Sequence, residues 1–283
     1  MAGMTHPLIE IEEALALHGQ DNVVFADASF HLPTSGRDAA AEYEDAHISG
    51  ACWFDINTIA DPSAALPHTM PKAPLFQRHM QQLGIGSDDL VIVYDNSPFY
   101  SSARAWFMLR YFGHRRVRVL NGGFRAWQNA GGAIEAGPST ERPGKRFIIG
   151  DPVGNDGVRS LSAMKKHVET GNRQIIDARS AGRFNGTEAE PRQGLASGHM
   201  PGAQNIPISS LIDPETGCFK SAAALADIFA GIDATKPVVT TCGSGVTACG
   251  LALGLALTGR EDVAIYDGSW SEWGSRPECP VAV

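Results

Sequence analysis

PVVTTCGSGVTACGLALGLALTG, residues 237–259, decides the fold of this chain. A proline precedes two valines and two threonines, a β-branched run that predicts a short buried strand. Gly-Ser-Gly then supplies backbone freedom. VTACGLALGLALTG follows as a small, apolar stretch with Gly259 near its end, which predicts a helix closed by a left-handed glycine. Strand, tight loop and helix together form the unit of an α/β sheet, where function gathers at the carboxyl ends of the strands. Cys242 stands at that end.

The same unit is written twice. VVFADASF, AHISGACWFDI, LVIVYDN and RVLNGGFRAW in the first half are answered, in order, by QIIDARSAGRF, GHMPGAQNIPI, PVVTTCGSG and AIYDGSWSEW in the second. Asp27 matches Asp177, His47 matches His199, Asp95 matches Cys242 and Trp127 matches Trp273, at separations of 146 to 152 residues. Order kept over that span indicates a divergent internal duplication. Each half alternates short apolar runs with helical patterns such as SARAWFMLRYFG, so each predicts a parallel sheet flanked by helices. The expected division is an N-terminal domain over 1–137, a linker rich in Gly, Pro and charge over 138–157, and a C-terminal domain over 158–283. The linker's Phe-Ile-Ile run is expected to form an edge strand or to pack between domains. Because Asp95 faces Cys242 in the repeat, only the second half carries a nucleophile.

A chain of 283 residues with 43% hydrophobic and 19% charged residues reads as globular, with two domains. Its net charge of -8 argues against nucleic acid or an anionic membrane as a partner, so an anionic substrate needs a local basic site. No secretory signal or membrane-spanning run is apparent. The five cysteines are odd in number and lack C-x-x-C spacing, which disfavours disulfides and zinc and makes a reducing cytoplasm the expected location. Neither a metal nor an organic cofactor is expected.

Cysteines usually serve as small buried hydrophobes, and Cys52, Cys249 and Cys279 are read that way, with Cys218 in a loop. Cys242 differs in its surroundings. Gly243, Ser244 and Gly245 let successive amides turn toward one point, and the following helix adds its positive end, an arrangement that favours a thiolate. A cysteine phosphatase would close this loop with an arginine six positions on, where Ala248 stands. No Arg occurs from 242 to 259, so phosphatase chemistry is disfavoured.

CGSGVTA, with DASFHLP, HISGACWFDI, LPHTMP and YDNSPFYSSARAW in the first half and DARSAGRFNGTEAEPR, GHMPGAQNIP and YDGSWSEW in the second, resembles the two-domain rhodanese-type sulfurtransferases. Within them it is most similar to those acting on 3-mercaptopyruvate. The resemblance spans nearly the whole chain. It implies two tandem rhodanese-like domains, the first catalytically inactive, and sulfur carried as a persulfide on Cys242. The neutral loop of Gly243, Ser244 and Gly245 favours a monocarboxylate donor over a dianion, for which relatives carry basic loop residues. By the same resemblance Arg183 and Arg192 clamp the donor's carboxylate and keto end, while Gly243, Gly245, Val246 and Thr247 cradle its sulfur. The alternative for these arginines is simple pairing with Glu188 and Glu190.

Arg179 is read as an internal partner of Asp177, and His47 and His199 as structural, since they recur in both halves. Asp95 and Tyr100 are read as lining the cleft from the noncatalytic side. The resemblance further implies a relay of Ser244, His68 and an acidic residue, Asp61 or Asp55, with His68 supplied by the first domain. A thiol, a thioredoxin-like protein or cyanide is the expected acceptor. The competing readings are a thiosulfate:cyanide sulfurtransferase and a noncatalytic persulfide carrier.

Overall fold

The computed structural model describes residues 6–139, 142–154 and 156–283. Two compact units emerge from its contacts. The first comprises Met1–Pro62, Met70–Val153 and Asp213–Phe219; the second comprises Ser63–Thr69, Gly154–Ile212 and Lys220–Val283.

In the first unit the chain runs β1 (Leu8–Ile9), α1 (Ile11–Leu17), β2 (Val23–Asp27), α2 (Ala39–Asp45), β3 (His47–Ile48), β4 (Cys52–Trp53), α3 (Ala73–Gln82), β5 (Leu90–Tyr94), α4 (Ser102–Tyr111), β6 (Val117–Leu120), α5 (Gly123–Asn129) and β7 (Ile134–Glu135). The sheet order is β1-β6-β5-β2-β4, and every pairing is parallel. Both β2 and β5 are buried at all positions, as strands covered on two faces must be.

The second unit repeats the plan with β8 (Val158–Arg159), α6 (Leu161–Thr170), β9 (Gln174–Asp177), α7 (Ala181–Phe184), β10 (Gln204–Asn205), α8 (Ala222–Ile228), β11 (Val238–Thr241), α9 (Val246–Leu257), β12 (Val263–Tyr266) and α10 (Ser269–Trp273). Its order, β10-β9-β11-β12-β8, is the first sheet's order read from the other edge, again all parallel. Gly113 at φ +90° and Gly259 at φ +84° follow α4 and α9 as expected of left-handed helix ends.

Matched landmarks do matched work. Trp127 and Trp273 are fully buried and donate through Nε1 to Ala133 O at 3.0 Å and Pro280 O at 2.9 Å. His47 stacks on Tyr43 and His199 on Phe184, at 3.9 and 3.8 Å between ring centroids. Each His also bonds through Nδ1 to a carbonyl, that of Tyr43 or Phe184, which gives both a structural role.

Of the two expectations for Phe-Ile-Ile, the edge strand is not formed. Phe147 is fully buried in the first unit beside Phe76 and His114. Burying the aromatic ring removes a large apolar surface from water. The short stretch Asp213–Phe219, written in the second half, also belongs to the first unit. Phe219 meets Tyr100 edge-on at 4.4 Å, its amide donates to Asn121 Oδ1, and Tyr100 donates to Gly217 O.

Candidate active site

Strand pairing assembles the site in the second unit. Thr241 of β11 lies opposite Asp177 of β9, and Ala178 N donates to Thr241 O at 2.9 Å. The loops after both strands therefore leave the sheet side by side. Cys242, one residue beyond β11, is 2% exposed.

Three elements shape its surroundings. Gly245 sits at φ +82° as the N-cap of α9, and its amide donates to Cys242 Sγ at 3.1 Å. A residue with a Cβ is strained in that conformation, so glycine is what aims the amide at sulfur. From the other side, α10 grips the loop backbone: Trp270 N donates to Cys242 O at 2.9 Å, and the amide and hydroxyl of Ser271 both donate to Gly243 O. Gly243 and Thr247 are half-exposed, whereas Val246 is 2% exposed.

Arg183 comes from α7 and Arg192 from the loop after it. Arg183 Nη2 lies 3.0 Å, and Arg192 Nη1 3.9 Å, from where a Cβ on Gly243 would stand, so both guanidiniums flank the thiol loop. Of the pairing alternative, half is realised. Glu190 accepts from Arg183 Nε at 3.2 Å and Nη2 at 2.5 Å, while Glu188 accepts from Ser180 instead. Arg192 makes no ion pair among the described residues. Burial draws its pKa down, and the nearby Cys242 charge opposes that. Arg179 is bound as expected: it forks onto Asp177, reaches Glu190 Oε1 at 2.7 Å, and lies 4.2 Å over the Trp270 ring. Burial works against its charge, but Asp177 and Glu190 outweigh that and raise its pKa.

Ser244 is 5% exposed and its Oγ lies 3.0 Å from His68 Nδ1. His68, expected in the first domain, belongs by its contacts to the second unit with the whole of Ser63–Thr69. The segment has no helix or strand of its own, and the imidazole is 6% exposed at a left-handed φ of +58°. A non-glycine residue held there costs of order 1 kcal/mol and is kept only where its surroundings demand it. Asp55 is spent locally, accepting from the Asn57 amide and the Thr58 hydroxyl. Asp61 falls in the first unit.

Asp95 and Tyr100, read from the sequence as lining the cleft, are both buried within the first unit. Asp95 is 5% exposed and accepts the amides of Ser97 and Ser102, so a carboxylate does in the first unit what sulfur does in the second. Tyr100 is 4% exposed, with its hydroxyl spent on Asn121 and Gly217.

Glu190, read from the sequence only as a pairing partner of Arg183 and Arg192, bridges Arg179 and Arg183. Ser269 was not singled out from the sequence; it is fully buried at φ +49°, and its hydroxyl accepts from Cys242 N at 3.2 Å, donates to Tyr266 O and lies 4.0 Å from Sγ. Its counterpart, Gly123, has φ +59°, and Phe124 N donates to Asp95 O just as Trp270 N donates to Cys242 O. NGGF against DGSW in the repeat was the available signal: a serine stands where the backbone suits glycine.

All five cysteines are free. Among the described residues no cluster of His, Cys, Asp and Glu gathers to hold a metal, and no helix is long and apolar enough to cross a membrane.

Comparison with known proteins agrees with this geometry. A human 3-mercaptopyruvate sulfurtransferase is 42% identical over 89% of this chain and 86% of its own length. A chicken thiosulfate sulfurtransferase is 40% identical over 88% and 86%. The crystal structure of the Escherichia coli 3-mercaptopyruvate sulfotransferase SseA superposes with a TM-score of 0.83 at 35% identity, covering 95% of this chain and all of that one. The rhodanese-like domain matches twice, over residues 10–130 and 160–276. With both halves matched, each sheet built in the same order and a cradled thiol in the second, the chain belongs to the rhodanese-like family as a tandem pair of its domains.

Proposed function

We propose that this protein is a 3-mercaptopyruvate sulfurtransferase whose sulfur travels as a persulfide on Cys242. The observation that carries the reading is a thiol held by the Gly245 amide in an uncharged Gly-Ser-Gly loop, with two arginines against Gly243. That combination suits a small acid bearing one carboxylate.

In the first stage the Cys242 thiolate attacks the sulfur of the donor, a sulfur-sulfur bond forms, and the donor's carbon-sulfur bond breaks. The electron pair of that bond leaves as the enolate of pyruvate. Arg183 and Arg192 hold its carboxylate and keto oxygens and so stabilise the charge that develops. The proton released from the donor's thiol balances the one gained at the enolate carbon, and Ser244 with His68 offers the path between them. In the second stage an acceptor thiol, a thioredoxin-like protein or cyanide attacks the outer sulfur and returns the thiolate. Five free thiols suit a reducing compartment such as the cytoplasm.

The second reading, a thiosulfate sulfurtransferase, draws on the chicken relative, whose similarity is nearly as high. One experiment separates them. The specificity constants for 3-mercaptopyruvate and thiosulfate are measured on one preparation, with intact-protein mass recorded after each donor in the absence of acceptor. The expected result is preference for 3-mercaptopyruvate, with one sulfur added to the wild type and none to Cys242→Ser. Preference for thiosulfate overturns the donor, and sulfur retained by Cys242→Ser overturns the nucleophile.

A further inference from the structure

We infer that Glu190 selects the charge of the sulfur donor, by cancelling one of the two arginine charges at the thiol loop; this rests on the sulfurtransferase reading above. Its side chain is 3% exposed and lies between Arg179 and Arg183, with Oε1 accepting from both and Oε2 from Arg183 alone. Arg179 is already matched by Asp177, onto which it forks. Glu190 therefore answers Arg183, and Arg192 is the cation left over among the described residues.

Beside the Cys242 thiolate, whose charge either donor meets alike, three guanidiniums face two carboxylates; without Glu190 they would face one, and the added positive charge favours a dianion over a monocarboxylate. In a site this buried, a surplus unit charge a few ångströms away is screened far less than in water, so it discriminates between donors. Loop neutrality alone does not account for the selection, because two uncompensated arginines would themselves suit a dianion. Geometry adds to charge. Glu190 takes Nε and Nη2 of Arg183, which fixes the plane of the guanidinium with Nη2 against Gly243. Glu190 is thus a positioning and selecting residue that acts through Arg183.

Glu190→Gln keeps an oxygen acceptor for Arg183 and removes the charge, whereas Glu190→Asp keeps the charge on a shorter arm. For Glu190→Gln, the ratio of kcat/KM for thiosulfate to that for 3-mercaptopyruvate is expected to rise tenfold or more, chiefly through a lower KM for thiosulfate. For Glu190→Asp both constants are expected to fall with the wild-type ratio kept. Equal losses on both donors in Glu190→Gln, the signature of a merely structural residue, would overturn the inference.

A binding measurement on the wild type stands if Glu190→Gln does not fold. Pyruvate, a monoanion, is expected to compete with the donor at least tenfold more tightly than inorganic sulfate, a dianion. Tighter competition by sulfate would overturn the inference. A wild type that releases no pyruvate from 3-mercaptopyruvate would refute the underlying activity, an outcome distinct from an active wild type with an unmoved ratio.

Discussion

Ser269 shows how one side chain reconciles stability with chemistry. Its backbone occupies the left-handed region at φ +49°, where its repeat partner is Gly123 at φ +59°. Replacing serine by glycine there relieves of order 1 kcal/mol of strain. It also takes the hydroxyl from the buried Cys242 amide, at about 1 kcal/mol or somewhat more. The two effects nearly cancel in stability and do not cancel in function. Ser269→Gly is expected to hold its Tm within a few degrees of wild type while sulfur loading from 3-mercaptopyruvate slows about tenfold. Thermal melts and stopped-flow loading on the same samples check this, and an unchanged loading rate would exclude a role for the hydroxyl at the sulfur.

At the scale of elements, the junction of β11 and α9 concentrates the second unit's chemistry. Ten of the twelve α9 residues are buried, so the helix is held from all sides and its first turn cannot drift from the sulfur. The N-terminal end of a well-held helix presents amides and a positive partial charge to whatever follows the strand. In the second unit that is Cys242, and in the first it is Asp95, which accepts the Ser97 and Ser102 amides. The junction is thus an anion cradle in both units, and the residue at the strand end decides whether it carries a nucleophile. Gly245→Ala strains the φ of +82° by roughly 1–2 kcal/mol and turns the amide away from sulfur. It is expected to lower the unfolding free energy by about that amount and to slow alkylation of Cys242 by iodoacetamide at neutral pH. Alkylation at the wild-type rate would show that this amide does not activate the thiol.

At the scale of the whole molecule, duplication has left the first unit with buried carboxyls that the second lacks or pairs. Asp177 has Arg179, but the matched position beyond Asp27 is Ser29, and among the described residues no guanidinium pairs with Asp27. Burial pushes the Asp27 pKa up to about 7 against its Ser29 hydrogen bonds, and Asp95 pushes the same way. A carboxyl whose folded pKa lies above its unfolded value of 3.8 favours the folded state at low pH, and that contribution is lost as pH rises through about 7. Asp27→Asn removes the ionisation, so its Tm relative to wild type is expected to climb by several degrees between pH 5 and pH 8. Differential scanning calorimetry across that range tests it. A pH-independent difference would mean that Asp27 titrates no differently folded and unfolded.

The periodic apolar runs, the glycines past α4 and α9, the duplication and the Cys-Gly-Ser-Gly loop were all legible in the sequence. Each depends on residues close in the chain or on a pattern stated twice, and local sterics and burial read such signals directly. The structural parts played by His47 and His199 followed from the repeat as well, and that of Arg179 from its place beside Asp177. Other features required the folded chain. Ser63–Thr69 joins the second unit and Asp213–Phe219 the first, because short segments without helix or strand go where distant side chains hold them. Phe147 found an aromatic pocket rather than a strand partner, and Asp95 and Tyr100 turned inward. The bridge that Glu190 makes to Arg179 and the reach of Ser269 to the thiol loop became visible only when β9 lay beside β11 and α10 closed on the loop. Sequence by itself determined which residues can do the chemistry and which fold repeats, since both are properties of residue type and spacing. Tertiary structure alone decided which charges cancel and which hydroxyl reaches the sulfur, because Coulomb energies and hydrogen bonds depend on distances that close only when remote strands pair.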